Sequence, residues 1–218
     1  RKESSAASDV YKRQDFVNWS FEGSHIRGFD WAKGYEYVND KGEKKKGYFR
    51  YWAPGKVIEQ DGRYYLYVTF VKPDEKMGTY VLVADRPDGP FQFAEGKGLS
   101  VPGTAKADSP AIVPDIDGEP FVDEDGKGYI FWRRRFAARL SDDKLHIEGE
   151  LVSIKTARQG YSEGPLMFKR KGIYYYVYTL SGHQNYANAY MMSRESPLTG
   201  FVKPEGNDIF LFLSLIHI

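Results

Sequence analysis

The sequence predicts an all-β protein built from repeated hairpin units. Stretches rich in Tyr, Val, Ile and Phe alternate with short turns almost throughout, and no stretch has convincing helical periodicity. One hairpin pattern also recurs three times, and its turn glycines are Gly62, Gly126 and Gly172. A tyrosine follows each glycine by three positions, at Tyr65, Tyr129 and Tyr175. Recurrence of this kind is the sequence signature of a repeat architecture.

The residues around these turns support the hairpins. Asp61-Gly62 and Asp125-Gly126 place glycine where a tight hairpin turn needs a positive φ. Residues 84–91 resemble residues 193–201, and each segment predicts the link into the outermost strand of a unit. Residues 23–49, rich in Gly and Lys, predict a long connection with a ragged hairpin.

The spacing of the units favours a β-propeller. The turn glycines lie 64 and then 46 residues apart, near the blade length of about 40–50 residues found in propellers. A β-sandwich explains the pattern less well, because sandwiches do not repeat a four-stranded unit. We therefore expect three largely complete antiparallel blades over residues 50–205, preceded by the remnant of another blade near residues 15–19.

Both ends of the chain carry the signature of non-native sequence. Residues 9–14 and residues 213–218 can be encoded by one DNA element read in opposite senses, as in a transposase-type sequencing adaptor. Segments of this kind carry no information about the native fold. We therefore expect residues 1–14 and 213–218 to be adaptor-derived, and residues 15–212 to be an internal piece of a β-propeller domain.

Composition and charge narrow the range of partners. The chain has 31 Lys and Arg against 30 Asp and Glu, and this near-neutral balance offers no electrostatic case for nucleic acid. No run approaches the roughly 18 apolar residues of a membrane helix, so no membrane partner is expected. With no Cys, this chain has no disulfide and no thiolate metal site. Its 17 Tyr suit both sheet packing and contact with sugar rings.

The repeat also aligns two carboxylates. Asp117 lies nine residues before Gly126, and Glu163 lies nine residues before Gly172. Both precede the first strand of a unit, which lines the central channel of a propeller, so the two carboxylates are expected to face one another. Such a pair suits general acid catalysis of glycosyl transfer, because a neighbouring like charge disfavours ionisation. The alternative is that Asp117 belongs to an acidic turn and Glu163 caps a strand. This alternative explains less well why both lie the same number of residues before a turn glycine.

These segments resemble glycoside hydrolase family 43. Residues 116–132 are similar to the family pattern Ile-Asp-Pro-x-x-Phe-x-Asp-Asp-Asp-Gly-x-x-Tyr-Leu-Tyr-Trp, and residues 161–165 look like the segment that carries the family's general acid. Residues 52–54 match a Trp-Ala-Pro-Asp signature in which Gly55 replaces the Asp, and residues 15–19 look like an outer strand of the first blade. The resemblance covers residues 15–212 and implies an incomplete five-bladed β-propeller.

The resemblance also implies roles for the two carboxylates. Glu163 is implied to be the general acid of an inverting glycoside hydrolase, and Asp117 the pKa modulator that also orients it. The general base is implied to lie upstream of residue 15, so this piece is expected to be inactive by itself. The implied substrates are arabinose- or xylose-containing polysaccharides and oligosaccharides.

Three further residues are candidates for substrate binding, namely Trp52, Trp132 and His183. Trp52 is implied by its position to wall the sugar subsite, with packing between blades as the alternative. His183 falls in a loop after the acid-bearing hairpin, where a plain loop residue is the alternative.

An arginine run follows Trp132, at a point where the family often has Gly. Strand alternation predicts Arg133 and Arg135 on one face and Arg134 on the other. An acidic or branched substrate is one partner for these side chains, and solvent at a strand end is the other.

The resemblance implies no required cofactor, and it is compatible with a structural calcium ion in the full-length enzyme. The acidic run at residues 123–125 is explained by turn chemistry rather than by calcium ligation. The family favours a periplasmic or extracellular location, about which the sequence itself says nothing.

Two other functions stay open. A non-catalytic carbohydrate-binding propeller that lost its base would keep the same residues, and an upstream Asp in a Pro-Asp-Pro-like strand would favour the enzyme. A retaining fructan-type hydrolase would use a carboxylate nucleophile and a carboxyl pair about 5–5.5 Å apart. The Glu-Gly-Pro context of Glu163 fits family 43 better.

Overall fold

The computed structural model describes residues 9–13, 17, 19–26, 29–96, 98–100, 108–160, 162–181 and 186–213. These residues form five antiparallel sheets, three with four strands and two with two strands. They divide between two compact units, residues 1–114 and residues 115–218. Within these described ranges the helical element is a 3₁₀ turn at Arg133–Arg135, and no helix is long and apolar enough to cross a membrane.

The first unit contains one four-stranded sheet and both two-stranded ladders. The strands of the larger sheet follow chain order and are β5 (Arg50–Gln60), β6 (Arg63–Val71), β7 (Met77–Ala84) and β8 (Gln92–Phe93). The ladders precede it and consist of β1 (Asp9–Arg13) with β2 (Trp19–Ser24), and β3 (Tyr35–Val38) with β4 (Lys44–Gly47). The second ladder is the ragged hairpin expected within residues 23–49. Strand β1 falls in the segment expected to be adaptor-derived.

The second unit consists of two four-stranded sheets, each again in chain order. The strands of the first are β9 (Glu119–Val122), β10 (Gly128–Trp132), β11 (Phe136–Leu140) and β12 (Ile147–Ser153). The strands of the second are β13 (Leu166–Arg170), β14 (Ile173–Ser181), β15 (Tyr186–Ser193) and β16 (Ile209–Leu213). The prediction of three antiparallel four-stranded units is therefore confirmed, and the third extends beyond the expected residue 205.

The repeated turn glycines all have the left-handed backbone that their positions require, with φ values of 73°, 81° and 72° at Gly62, Gly126 and Gly172. Asp61 and Lys171 are left-handed as well, which gives two-residue turns whose twist matches that of the flanking strands. The turn at Gly126 is longer, because the Asp123 N–H donates to the Lys127 carbonyl oxygen at 2.9 Å.

The core of the second unit lies between its two sheets. Phe121, Phe131 and Ala137 from the first sheet cluster with Met167 and Tyr176 from the second. The rings of Phe131 and Tyr176, both fully buried, lie 5.8 Å apart. Many of the aromatic side chains therefore serve packing, and this packing fixes the first strands β9 and β13 relative to each other.

We expect Phe131→Ala to destabilise the second unit by about 3–5 kcal/mol, because it removes a buried ring from the contact between the two sheets. Urea denaturation followed by tyrosine and tryptophan fluorescence measures the loss. The control is Leu151→Ala on β12, whose side chain is 62% exposed and whose substitution should change stability by less than about 0.5 kcal/mol. Equal effects of the two substitutions would contradict this description of the core.

Candidate active site

Asp117 and Glu163 come together in the second unit. Asp117 precedes β9 by two residues and Glu163 precedes β13 by three, so each lies at the entrance to a first strand. Asp117 Oδ2 accepts the backbone N–H of Gly164 at 2.9 Å. The carboxylate that precedes one sheet, Asp117, thus accepts a hydrogen bond from the residue that follows Glu163, the carboxylate that precedes the next sheet. Both acidic side chains are partly buried.

The backbone turns sharply at this contact. Asp117 has a φ of 63° and Gly164 a φ of 53°, both in the left-handed region. Aspartate tolerates this region better than most residues, and glycine adopts it freely. Ala53, at the equivalent phase of the first unit's sheet, is also left-handed, with a φ of 35°. A kink before or within the first strand is therefore part of the repeat.

The surroundings of Asp117 favour its neutral form. Burial raises the pKa of Asp117, and the negative charges of Glu163 and Asp115 raise it further. The bond from Gly164 and the positive charge of Arg133 act in the opposite direction, and the net shift of the Asp117 pKa is upward. Asp117 therefore holds its proton to higher pH than an aspartate in water.

Backbone hydrogen bonds fix the segment that carries Glu163. The Arg134 N–H donates to the Ser162 carbonyl oxygen at 3.0 Å, and the Thr179 N–H donates to the Glu163 carbonyl oxygen at 3.1 Å. Together with the bond from Gly164 to Asp117, these contacts restrain three consecutive residues. A side chain on a backbone held in this way can keep one orientation.

The expected alternation of the arginine run is wrong. Alternation requires extended backbone, whereas Arg133–Arg135 form a 3₁₀ turn in which Arg134 and Arg135 are left-handed, with φ values of 65° and 64°. Arg133 Nε lies 2.7 Å from Asp115 Oδ1. Arg134 is exposed, and Arg135 is partly buried.

A clamp holds the loop that leads into Glu163. Arg158 donates from Nε and Nη2 to the two carboxylate oxygens of Asp208, at 2.9 and 2.8 Å. Arg135 Nη2 donates to the carbonyl oxygens of Arg158 and Gly160, at 3.3 and 2.9 Å. The bond from Arg158 lowers the pKa of Asp208, which is fully buried.

The three substrate-binding candidates lie in different environments, and their roles stay predictions. Trp52, on β5, is partly buried, and the Arg50 guanidinium lies 5.1 Å from the centre of its ring. Trp132 is only 5% exposed and packs against Phe136, with ring centres 5.9 Å apart, so it offers little surface to a sugar. His183 lies outside the described residues.

Sequence reasoning missed Asp115 and Thr179, which hold the segments of the two carboxylates. The available signal was that Asp115 is an aspartate two positions before Asp117. The described residues contain no group of three or more His, Asp or Glu arranged to bind a metal ion. The expectation that no cofactor is required stays a prediction.

Comparisons with known proteins agree with these features. The model of the glycosyl hydrolases family 43 matches residues 3–212. A β-D-galactofuranosidase from Aspergillus niger is 29% identical over 160 residues, which is 69% of this chain and 44% of the relative. An arabinoxylan arabinofuranohydrolase from Bacillus subtilis is 27% identical over 198 residues, covering 79% of this chain and 35% of the relative. The chain thus spans less than half the length of these relatives.

Solved structures confirm the fold. A structure described as a glycoside hydrolase superimposes with a TM-score of 0.73 at 41% identity, covering 92% of this chain and 41% of that one. An α-L-arabinofuranosidase from Clostridium thermocellum gives a TM-score of 0.63 at 25% identity, covering 90% of this chain and 60% of that one. The prediction of an all-β, incomplete five-bladed β-propeller is confirmed by these neighbours and by the sheets described above.

We expect Asp117→Asn to stabilise the chain at pH 7. Folding raises the pKa of Asp117, so its ionised form disfavours the folded state. This cost is absent below the unfolded pKa of about 3.9, grows as the pH rises through that value, and is complete above the folded pKa. Asparagine tolerates left-handed backbone and keeps an oxygen that can accept the Gly164 N–H.

Urea unfolding at several pH values between 4 and 8 tests this expectation, and the gain should shrink as the pH falls. The control is Asp125→Asn, since the bond from Lys127 lowers the pKa of Asp125 and makes its ionised form stabilising. This control should lose a little stability at pH 7. A gain from Asp117→Asn that grew toward low pH would refute the raised pKa.

Proposed function

Because the chain belongs to glycosyl hydrolases family 43, we propose that the protein hydrolyses O-glycosidic bonds in arabinose- or xylose-containing polysaccharides or oligosaccharides. The hydrogen bond from Gly164 to Asp117 carries this proposal, because it joins the two segments whose carboxyl groups occupy equivalent positions of the repeat. Two carboxyl groups in one partly buried site match the chemistry of glycoside hydrolysis.

In the proposed mechanism, Glu163 is the general acid and donates its proton to the glycosidic oxygen as the bond to the leaving group breaks. Asp117 is the orienting residue and the pKa modulator. Its position beside Gly164 sets it against the backbone of the acid-bearing segment, and the Asp117 and Glu163 charges repel each other. Proton transfer and attack by water need no cofactor.

We propose that the reaction inverts the anomeric centre. An inverting enzyme needs a second carboxylate about 6.5–9.5 Å from the acid, with room for the attacking water between them. This base would lie on the opposite side of the substrate from Glu163. Membership of the family supports a carbohydrate partner, and the near-neutral charge of the chain offers no electrostatic case for nucleic acid.

The names of the relatives support a sugar in the furanose form at the cleaved end. One sequence relative is called a β-D-galactofuranosidase and the other an arabinoxylan arabinofuranohydrolase. One similar structure is that of an α-L-arabinofuranosidase. Arabinose is common to the last two, so arabinofuranosides are the first substrates to test.

We expect Glu163→Gln to lower kcat on unactivated arabinosides or xylosides by about 10²–10⁴-fold, because the glutamine amide cannot supply the proton. Aryl glycosides with good leaving groups should lose much less, since their departure needs little protonation. The assay uses this chain joined to its natural upstream sequence, with the exposed Glu205→Gln as control. Equal losses on both substrates would count against the acid role, and sugar binding without any hydrolysis by the parent would favour a carbohydrate-binding propeller.

We expect Asp117→Asn to move the alkaline limb of the pH–rate profile to lower pH. That limb reports loss of the acid's proton, and a neighbouring negative charge makes this loss harder. Removing the charge should therefore release the proton at lower pH and also slow turnover. Measurements of kcat/KM between pH 4 and 9 test the shift, and a slower enzyme with an unmoved alkaline limb would leave Asp117 with an orienting role alone.

A further inference from the structure

We propose that Arg133 is a positioning residue that holds Asp117 against the segment carrying Glu163. The inference rests on the proposed function, since it extends the roles of these two carboxylates. It goes beyond that function by assigning a task to a residue of the arginine turn. All the residues involved lie within the second unit.

Arg133 fixes the two residues that precede Asp117. Its Nε lies 2.7 Å from Asp115 Oδ1, and the two side chains are only 22% and 13% exposed. The same Asp115 oxygen accepts the Ile116 N–H at 2.9 Å, and the Arg133 N–H donates to the Ile116 carbonyl oxygen at 3.4 Å. The approach to Asp117 is therefore held by both the side chain and the backbone of Arg133.

The residue after Arg133, Arg134, bonds to the segment that carries the other carboxylate. The Arg134 N–H donates to the carbonyl oxygen of Ser162, which directly precedes Glu163. Gly164, which directly follows Glu163, donates its N–H to Asp117. These contacts close a ring that runs from the arginine turn through Asp117 to the segment of Glu163 and back. The relative position of the two carboxylates therefore depends on the turn.

The charge of Arg133 has a second effect within this ring. The charged groups acting on Asp117 include Glu163 and Asp115, which repel its negative charge, and Arg133, which attracts it. Removing Arg133 would take away the attraction and would also leave the charge of Asp115 without its ion-pair partner. Removing Asp115 would take away a repulsion and keep the arginine.

The test compares Arg133→Met with Asp115→Asn in the ¹⁵N-labelled chain. The Gly164 amide proton reports ionisation of Asp117, because it is bonded to that carboxylate. We expect its titration midpoint to move to higher pH in Arg133→Met and to lower pH in Asp115→Asn. A packing role alone would move both midpoints the same way, since both substitutions break the same ion pair.

Hydrogen exchange at Gly164 tests the positioning itself. Exchange should accelerate at least several-fold in both variants, because the approach to Asp117 loses its anchor. The control is Arg134→Met, which changes an exposed side chain and keeps the backbone N–H that bonds Ser162. It should leave both the midpoint and the exchange rate unchanged.

Arg133→Lys keeps the positive charge and decides the matter if Arg133→Met does not fold. The lysine variant should keep the titration midpoint of the Gly164 amide proton near that of the parent. A midpoint that rises in Arg133→Lys as far as is expected for complete loss of the positive charge would overturn the role of that charge. Midpoints that move together, or exchange at Gly164 that stays unchanged in every variant, would overturn the proposal. Unchanged hydrolysis after Glu163→Gln would instead refute the proposed function, while the Gly164 measurements would still report on Arg133.

Discussion

The hydrogen bond between the Gly164 N–H and the Asp117 carboxylate depends on left-handed backbone at both of its ends. Asp117 has a φ of 63° and Gly164 a φ of 53°, so the chain turns just before each first strand. These two turns bring the Asp117 carboxylate within hydrogen-bonding distance of the Gly164 amide. Glycine adopts this conformation freely, whereas Asp117 holds it at a conformational cost that the surrounding contacts offset. The packing of Phe131 against Tyr176 between the two sheets provides the rigid support, so the site depends on the core as well as on its own residues.

The pKa of Asp117 is shifted in the opposite direction from the pKa values of Asp208 and Asp108. Asp208 is fully buried, yet the paired bonds from Arg158 lower its pKa. Asp108 has hydrogen bonds from Lys72 and Ser100, and its pKa is lowered too. Asp117 is partly buried beside two like charges, and its pKa is raised. Structural carboxylates are thus matched to donors, whereas Asp117 is kept at a cost to stability, which is typical of functional positions.

The predictable part of the molecule is the part that local patterns encode. Turn glycines, β-forming stretches and the count back from each glycine were enough to predict three four-stranded units and to select Asp117 and Glu163. Contacts between distant residues leave no such pattern. Arg158 and Asp208 are fifty positions apart, and nothing in either neighbourhood indicates the other. The burial of Trp132 was hidden for the same reason, since an aromatic residue at a strand end suits a sugar platform as well as a core.

The arginine turn shows why a local rule failed there. Left-handed backbone normally signals itself through glycine, but here Arg134 and Arg135 adopt it, at a cost of about 1–2 kcal/mol each relative to glycine. Arg135 offsets part of this cost, because its guanidinium bonds two carbonyl oxygens of the loop before Glu163, which glycine could not reach. Arg133 uses its side chain on Asp115, before Asp117. One strained turn therefore holds the segments that precede both carboxylates. The backbone strain arises because arginines, whose side chains make these contacts, occupy positions where glycine would adopt the conformation more easily.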